Sequence, residues 1–312
     1  MNHDADLPLA GDIHHKPPTH DPVACARWWQ GLAVHTPPAW LHEEVARRMS
    51  ERLGWIKLQP QSWLHAQPSI GGWEIHAQLA RRYPKATVYV QEPSMARLKR
   101  TQKQLQASGW QRLNPFKSKL HWMSVHDCTQ TVDMVWANMQ WHIHADPILL
   151  LRQWHQALNV NGFLMFSFMG PDTLMELRQL HQDKGWPEPA AHWTDMHDAG
   201  DMMVQTGFAE PVMDMERITL SYSSAERMLS DLRSLGRNFH PQRFGTLKGK
   251  GWREQWLQAV QHDWPRRDAN GQLMLTFEIV YGHAMRVADR HRVEPTTRIS
   301  LHEMQNLLKK SG

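Results

Sequence analysis

The chain has 312 residues, of which 41% are hydrophobic and 21% are charged, with a formal net charge of +4. This length is enough for one large α/β domain with additions or for two small domains. No apolar run approaches the ~18–20 residues that span a bilayer, and two cysteines, Cys25 and Cys128, are too few for a disulfide framework. The first residues lack the charged-then-apolar pattern of a secretory signal, so we expect a cytoplasmic protein without a membrane partner.

The order of polar and periodic segments divides the chain into four parts. We expect a disordered lead-in rich in His and Pro over residues 1–22, followed by N-terminal helices that pack on the core over 23–60. The main domain is expected over 61–290, and a C-terminal helix or tail over 291–312. The main domain is expected to carry helical insertions around 172–206 and 224–263.

Strand and helix patterns alternate from Ser62 onward. The runs typical of strands are Ser62–Ala66, Thr87–Gln91, Lys119–Ser124, Val132–Ala137 and Phe163–Phe168. The helical patterns between them are Trp73–Arg82, Pro93–Ala107 and Pro147–Leu158. This alternation predicts a Rossmann-like α/β fold with a mostly parallel sheet and helices on both faces. Its ligand crevice is then expected at the carboxyl ends of the strands.

Beyond Phe168 helical patterns predominate, and only two strand runs remain. Because helices precede each of these runs, Val212–Tyr222 and Met274–Met285, the two are expected to pair antiparallel at the sheet edge. The helical patterns are Asp172–His181, Asp195–Thr206, Ser224–Leu235 and Trp252–His262.

Basic residues cluster in two places, between Arg97 and Lys103 and between Arg243 and Arg253. Neither cluster interleaves aromatic residues as nucleic-acid modules do, so we expect no nucleic-acid partner. Two interpretations stay open for them: a solvated surface, or a docking face that attracts an acidic protein.

Three polar residues stand at or just beyond predicted strand ends: Glu92, Asp127 and Asn138. Glu92 can accept two hydrogen bonds from a ribose diol, or it can satisfy the start of the following helix. Asp127 can accept from an adenine amino group, or it can cap a turn. Asn138 begins a polar segment that ends in Trp141 and His142 and is typical of a ligand wall.

Two histidines, His142 and His144, alternate in the sequence, and on a strand they would point the same way. No third ligand has a convincing position, so no metal site is predicted.

Several segments resemble the class I S-adenosylmethionine-dependent methyltransferases, and within them the BioC family, which methylates malonyl-acyl-carrier protein in biotin synthesis. Val132–Trp141 resembles the strand "fDlvfSNlalqW", and Leu158–Leu164 resembles the turn "vLkpGGvl". More specific is Gly170–Arg178, which is similar to the segment "GPDTLxELR". The resemblance extends from about Trp40 to Val287. It implies a class I methyltransferase fold with an antiparallel edge strand.

The resemblance implies S-adenosylmethionine as the cofactor, held by Gly71, Glu92, Asp127 and Asn138. The family pattern "vLDxGxGxG" is altered, however, because His65 replaces the acid and Gln67 and Ser69 replace the first two glycines. Those glycines let the backbone approach the cofactor, and a side chain there occupies cofactor volume or strains the backbone.

Methyl transfer to a carboxylate needs alignment rather than a general base, because the acceptor is already an anion. The resemblance implies a cation for that anion, and the candidates are Arg178, Arg233 and Arg237, with His283 as a further substrate-binding candidate. Each is equally compatible with an ordinary structural role. An acyl carrier protein is the implied partner. Three functions stay open: a carboxyl methyltransferase, a methyltransferase fold that binds a different ligand or binds the cofactor weakly with altered chemistry, and a non-catalytic binding or regulatory protein that kept the fold.

Overall fold

A computed structural model describes residues 20–31, 38–107, 119–124, 130–245 and 249–288. In this part of the chain, seven strands form one sheet in the order β3-β2-β1-β4-β5-β7-β6. The strands are β1 Ser62–Ala66, β2 Thr87–Glu92, β3 Leu120–Ser124, β4 Val132–Ala137, β5 Leu158–Met169, β6 Phe208–Tyr222 and β7 Leu273–Arg286. The first five are parallel, and β7 is antiparallel to both β5 and β6. The predicted α/β fold, with its antiparallel pair at the edge, is confirmed.

Two of the described helices precede β1, and the others lie between strands. They are α1 Pro22–Gly31, α2 Trp40–Arg52, α3 Pro68–Gly71, α4 Glu74–Arg82, α5 Met95–Ala107, α6 Pro147–Ala157, α7 Met175–Asp183, α8 Met196–Gln205, α9 Ala225–Leu235 and α10 Lys250–Asp263. Short 3-10 turns occupy Leu53–Trp55 and Trp141–Ile143. None of these helices is long and apolar enough to cross a membrane.

The sheet is buried on both faces because side chains of a strand alternate between them. On β1, Trp63 faces a core built with α2, α4, α7, α9 and α10. Its neighbour Leu64 faces the opposite core, which α6 and α8 complete. Helices therefore cover both faces, as the alternation predicted.

Close packing between β5 and β7 requires a glycine in the middle of β7. A Cβ on Gly282 would overlap the ring of Phe166. That ring stacks on Phe168 with an angle of 2° between the planes. The antiparallel edge therefore closes over aromatic side chains.

The segment Gly170–Arg178 connects β5 to β7. Gly170 donates its N–H to the Glu278 carbonyl, and the Glu278 carboxylate accepts from the Asp172 N–H at 2.7 Å. Glu176 accepts from the Thr276 N–H and hydroxyl. The segment that carried the most specific resemblance thus fixes the edge of the sheet.

The structure differs from the predicted elements mainly after β1. The run Gln67–Gly72 contains the short helix α3, which is not among the predicted helices. Gln67 makes this possible by taking a left-handed backbone conformation, with φ 47° and ψ 58°. The residue that precedes a proline is disfavoured in the right-handed helical region, which is consistent with a helix that starts at Pro68.

Candidate functional site

The carboxyl ends of β1, β2, β4 and β5 meet at one edge of the sheet, where α/β folds bind ligands. Two regions of different character lie along this edge. We call the first the closed side; it consists of Gln67–Gly72 with Glu92 and Asn138. The second is a cavity beyond β4 and β5.

On the closed side, the loop after β1 folds back onto the sheet. The Gln67 N–H donates to the Gln91 carbonyl at 2.8 Å, and the Gln67 carbonyl accepts from Ile70 and Gly71. All six residues of the loop are buried. The side chains of Gln67, Pro68, Ser69 and Ile70 are therefore packed inside the protein, and two of them, Gln67 and Ser69, stand where the family pattern has glycine.

Glu92, at the end of β2, is fully buried, and both of its carboxylate oxygens have donors. The Ser69 N–H donates to Oε1 at 2.8 Å, and the Ser69 hydroxyl donates to Oε2 at 2.6 Å. The Thr101 hydroxyl adds a third bond at 2.7 Å. Arg97 donates to the Ser69 oxygen at 3.0 Å. The predicted ribose acceptor is thus paired with Ser69.

Burial raises the pKa of the Glu92 carboxyl above its usual range, while hydrogen bonds from Ser69 and Thr101 and the charge of Arg97 oppose that rise. Burial also lowers the pKa of the Arg97 guanidinium, and Glu92 opposes that. The two charges therefore stabilise each other inside the protein, because a buried charge without partners would be costly.

Gly71 and Asn138 lie against each other on the closed side. A Cβ on Gly71 would be 2.8 Å from the Asn138 carbonyl oxygen, so no other residue fits there without a shift. The Asn138 amide donates to the carbonyls of Gly71 and His42, and its oxygen accepts from Ser167 at 2.6 Å. Asn138 thus connects the loop to α2 and β5.

His65, which stands where the family has an acid, is buried against α4. Its Nδ1 lies 3.1 Å from the Nδ1 of His76, and the rings stack with 9° between their planes. Burial lowers the pKa of His65 well below its usual range, and the nearby His76 lowers it further. Two neutral rings therefore fill the space where a charged group would have stood.

The polar segment after β4 does not form the predicted open wall along its whole length. Gln140 is buried and donates to the Ala66 carbonyl, and the Trp141 ring stacks on Phe168. His142 belongs to a 3-10 turn rather than a strand, so His142 and His144 do not alternate on one face. Among the described residues, no group of three or more metal-ligating side chains could hold a metal ion.

The cavity has a volume of about 740 Å³. It begins at His142 and Ile143 after β4 and extends between α7, α9 and α10. Most of its wall is apolar and aromatic, with Met169, Leu177, Trp193, Leu232, Trp256 and Phe277 among the lining residues. A space of this size and character suits a small or elongated ligand with an apolar body.

Arg178, a predicted substrate cation, is partly buried behind the cavity wall. It donates to the Ala191 carbonyl, forms an ion pair with Glu188 at 3.3 Å, and lies over the Trp193 ring at 5.3 Å. These three partners line the cavity, whereas Arg178 itself does not. Its hydrogen bonds hold the wall in place.

Arg233 and Arg237 lie at the mouth of the cavity and are exposed. Arg237 donates to two backbone carbonyls, those of Arg233 and Gly236. The Arg233 guanidinium has no hydrogen-bond or ion-pair partner within the described ranges. Arg233 is therefore the cation of this pair that is free to bind an anion.

His283 lies away from both regions. It stands on β7, pairs in register with Met165 and Val212, and is half-buried. Burial lowers its pKa, and Glu210 opposes that change. Asp127, the predicted adenine partner, is outside the described residues.

The network around Glu92 includes three residues that sequence reasoning did not assign to the site: Ser69, Arg97 and Thr101. Arg97 was grouped with a basic surface cluster, yet only 5% of it is exposed. One signal was present, since Ser69 stands where the family pattern has glycine and precedes Glu92 by 23 residues. The helical spacing of Arg97 and Thr101 places both on one face of α5.

Curated relatives match most of the chain. A malonyl-acyl-carrier-protein O-methyltransferase of Gallionella capsiferriformans is 38% identical over 257 residues, which cover 80% of this chain and 85% of the relative. An enzyme of the same name from Laribacter hongkongensis is 36% identical over 269 residues, covering 84% and 88%. No family model matches the chain.

Solved structures share the fold at low sequence identity. A protein of Bacillus halodurans C-125 with a provisional methyltransferase assignment has a TM-score of 0.53 at 10% identity, covering 78% of this chain and all of its own. The YcgJ protein of Bacillus subtilis has a TM-score of 0.52 at 9% identity, covering 78% of this chain and 99% of its own. At such identities the likeness extends to the fold alone.

Proposed function

The chain belongs to the malonyl-acyl-carrier-protein O-methyltransferase family, and from that premise we propose that it methylates the free carboxylate of a malonyl or related acyl group on a carrier protein, with S-adenosylmethionine as methyl donor, as in biotin synthesis. The observation that carries the proposal is the apolar cavity at the carboxyl edge of the sheet, with the uncommitted Arg233 at its mouth. The family relationship favours this function over a non-catalytic role.

The cavity suits an acyl group delivered on a long, flexible arm. Its apolar wall can cover the arm, and the cations at its mouth can meet anionic groups. Arg233 and Arg237 project there without a carboxylate partner in the described part of the chain. Arg243, also at the cavity, forms an ion pair with Asp21 at 2.7 Å. Positive charge at this mouth would attract an acidic carrier protein.

The chemistry asks little of the protein beyond placement. A malonyl carboxylate is ionised at neutral pH and is itself the nucleophile, so no side chain has to remove a proton. Alignment of reacting groups is worth up to about 7–11 kcal/mol in favourable cases. An arginine that binds one carboxylate oxygen would leave the other free to react. We assign that positioning role to Arg233.

The closed side does not accommodate the cofactor as it is arranged here. Both oxygens of Glu92, the expected ribose acceptor, accept hydrogen bonds from Ser69. Gly71 and Asn138 are in contact, so the space between the loop and the end of β4 is filled. Glu92, Gly71 and Asn138 match the family pattern, but Ser69 is bonded to Glu92, and Gly71 and Asn138 are in contact with each other.

The proposal is tested by incubating the purified chain with malonyl-carrier protein and S-adenosylmethionine, and following the mass of the intact carrier. We expect a gain of one methyl group that requires the free carboxylate. Carrier protein loaded with an acetyl group, which lacks that carboxylate, is the matched control. A carrier mass that does not change would contradict the proposal.

The role of Arg233 is tested with the same assay. Arg233→Ala is expected to raise the KM for malonyl-carrier protein about tenfold, because one charge-assisted hydrogen bond is worth on the order of 1.4 kcal/mol or more. The melting temperature should stay unchanged, since Arg233 is exposed. Arg227→Ala, an exposed arginine on the same helix, is the control and should leave KM unaltered.

A further inference from the structure

We propose that Ser69 determines the affinity of this protein for its cofactor, because it occupies Glu92 in place of the cofactor's ribose and must be displaced before the cofactor binds. This inference rests on the proposed function for the identity of the cofactor. It concerns a residue of the closed side that stands where the family pattern has glycine.

The first argument is geometric. Ser69 offers Glu92 two donors, its N–H and its hydroxyl, and these two atoms are three bonds apart. The two hydroxyls of a ribose diol are separated by the same number of bonds. Each Ser69 donor meets a different carboxylate oxygen, at 2.8 Å and 2.6 Å. Ser69 therefore satisfies Glu92 in the manner expected of the diol.

The second argument is the burial of the pair. Glu92 is fully buried and only 9% of Ser69 is exposed, so bulk solvent has little contact with either partner. An ionised carboxylate in such a place is stable only while donors surround it. Release of Ser69 is therefore costly unless another pair of donors arrives at the same time. A vicinal diol supplies that pair, which makes the exchange of Ser69 for the cofactor feasible.

The third argument is that the closed arrangement extends along the loop. The Asn138 amide donates to the Gly71 carbonyl, and the Gly71 backbone contacts Asn138 directly. Movement of Ser69 alone would leave this contact in place, so the loop has to move as a unit. If only a fraction of molecules has the loop displaced, the apparent dissociation constant rises by the inverse of that fraction.

The experiment is calorimetric titration with S-adenosylhomocysteine of three proteins: the natural chain, Ser69→Ala and Ser62→Ala. Ser69→Ala removes the hydroxyl donor and keeps the Cβ, so α3 can still form. Ser62 is the matched control, because its hydroxyl also donates to a carboxylate, that of Asp133 at 3.1 Å, but at the opposite end of β1. Melting temperatures verify that each variant is folded.

We expect Ser69→Ala to bind S-adenosylhomocysteine about tenfold more tightly than the natural chain, and Ser62→Ala to bind like the natural chain. Amide hydrogen exchange without ligand should be faster at 67–72 in Ser69→Ala only. Equal affinity of Ser69→Ala and the natural chain would overturn the inference. Absence of binding by all three proteins would overturn it as well.

The proposed methyl transfer and the inference about Ser69 are contradicted by different results. If Ser69→Ala binds more tightly but neither it nor the natural chain transfers a methyl group to malonyl-carrier protein, the inference stands and the proposed reaction is wrong. If the natural chain transfers the methyl group and Ser69→Ala binds no more tightly, the reaction stands and the inference is wrong.

Discussion

The closed side and the cavity lie at the same edge of one sheet, but their polar groups differ in whether they have hydrogen-bond partners within the chain. On the closed side, Glu92 and Asn138 have their hydrogen-bonding capacity met by neighbours within the chain. At the cavity, Arg233 keeps a guanidinium without a partner in the described part of the chain. The two regions differ in how much space their side chains leave. Ser69 fills the closed side, whereas the hydrogen bonds of Arg178 keep the walls of the cavity separate.

Each region is kept in its state by a small number of contacts. The closed side depends on Ser69 and on the contact of Gly71 with Asn138. The cavity depends on Arg178, which connects α7 to the loop that forms the opposite wall. The cavity therefore depends on hydrogen bonds and ion pairs that hold its walls in place, just as the closed side depends on the contacts that fill it.

The largest effect is expected on the closed side, from Glu92→Ala. Glu92 accepts from Ser69 and is the proposed acceptor for the cofactor ribose, so its loss would remove two hydrogen bonds from the ribose to a charged group. We expect affinity for S-adenosylhomocysteine to fall by about 100-fold or more, as measured by calorimetry. Unchanged affinity would mean that Glu92 does not contact the ribose.

Loss of stability alone has to be separated from loss of this acceptor. Glu176 provides the matched control, because it is also buried and its carboxylate also accepts from a backbone N–H and a threonine hydroxyl. Glu176→Ala should lower the melting temperature by a similar amount and leave the affinity for S-adenosylhomocysteine as it was.

The next effect concerns the cavity wall. Arg178→Ala removes the bonds to Ala191 and Glu188, and we expect a loss of about 2 kcal/mol in the free energy of unfolding, measured with urea. KM for malonyl-carrier protein should rise with it as the wall loosens. If transfer is lost while stability is unchanged, Arg178 binds the substrate carboxylate itself, the role for which it was one of three candidates.

A further effect is a pH dependence that originates at His42, a residue of α2 that contacts the closed side. Burial lowers the pKa of His42 from 6.5 to about 4, and its Nδ1 lies 2.9 Å from the Ile70 carbonyl of the loop. Between these two pH values the unfolded chain binds more protons at this residue than the folded chain. Stability should therefore be full above pH 6.5 and fall as the pH drops toward 4.

The variant His42→Gln tests this assignment, since glutamine does not titrate. The fall in unfolding free energy between pH 6.5 and 4 should become shallower by up to about 1.4 kcal/mol per pH unit, which is the contribution of one proton. An identical slope in the variant and the natural chain would show that His42 is not protonated on unfolding.

Most of the fold could be predicted from the sequence because strands and helices leave local patterns. The runs Ser62–Ala66 and Val132–Ala137 agree with the strands residue for residue. β5 is longer than predicted, since it starts at Leu158 and includes the polar turn residues Asn159 and Asn161. Polar residues at the exposed start of a strand do not show the alternation on which such predictions depend.

The state of the site could not be predicted, because its contacts join residues that are distant in sequence. The resemblance identified Glu92 and Asn138. No local sequence pattern, however, indicates that Ser69 forms a hydrogen bond with Glu92 or that Gly71 accepts one from Asn138. Arg178 was one of three arginine candidates for binding the substrate carboxylate, and its residue type alone could not distinguish that role from a structural one. Its actual partners depend on the path of the loop up to Ala191, 13 residues further along.

The antiparallel edge affects how the protein folds during its synthesis. Thr173, which follows β5, donates its hydroxyl to the carbonyl of Glu278 on β7, and the two residues are 105 positions apart in the chain. A ribosome therefore releases β5, with its phenylalanines and methionines, long before the strand that pairs with it. Closure of so long a loop is slow, and we expect the parallel half of the sheet to form first. Until β7 arrives, the unpaired edge of β5 is the part of the nascent chain most exposed to aggregation.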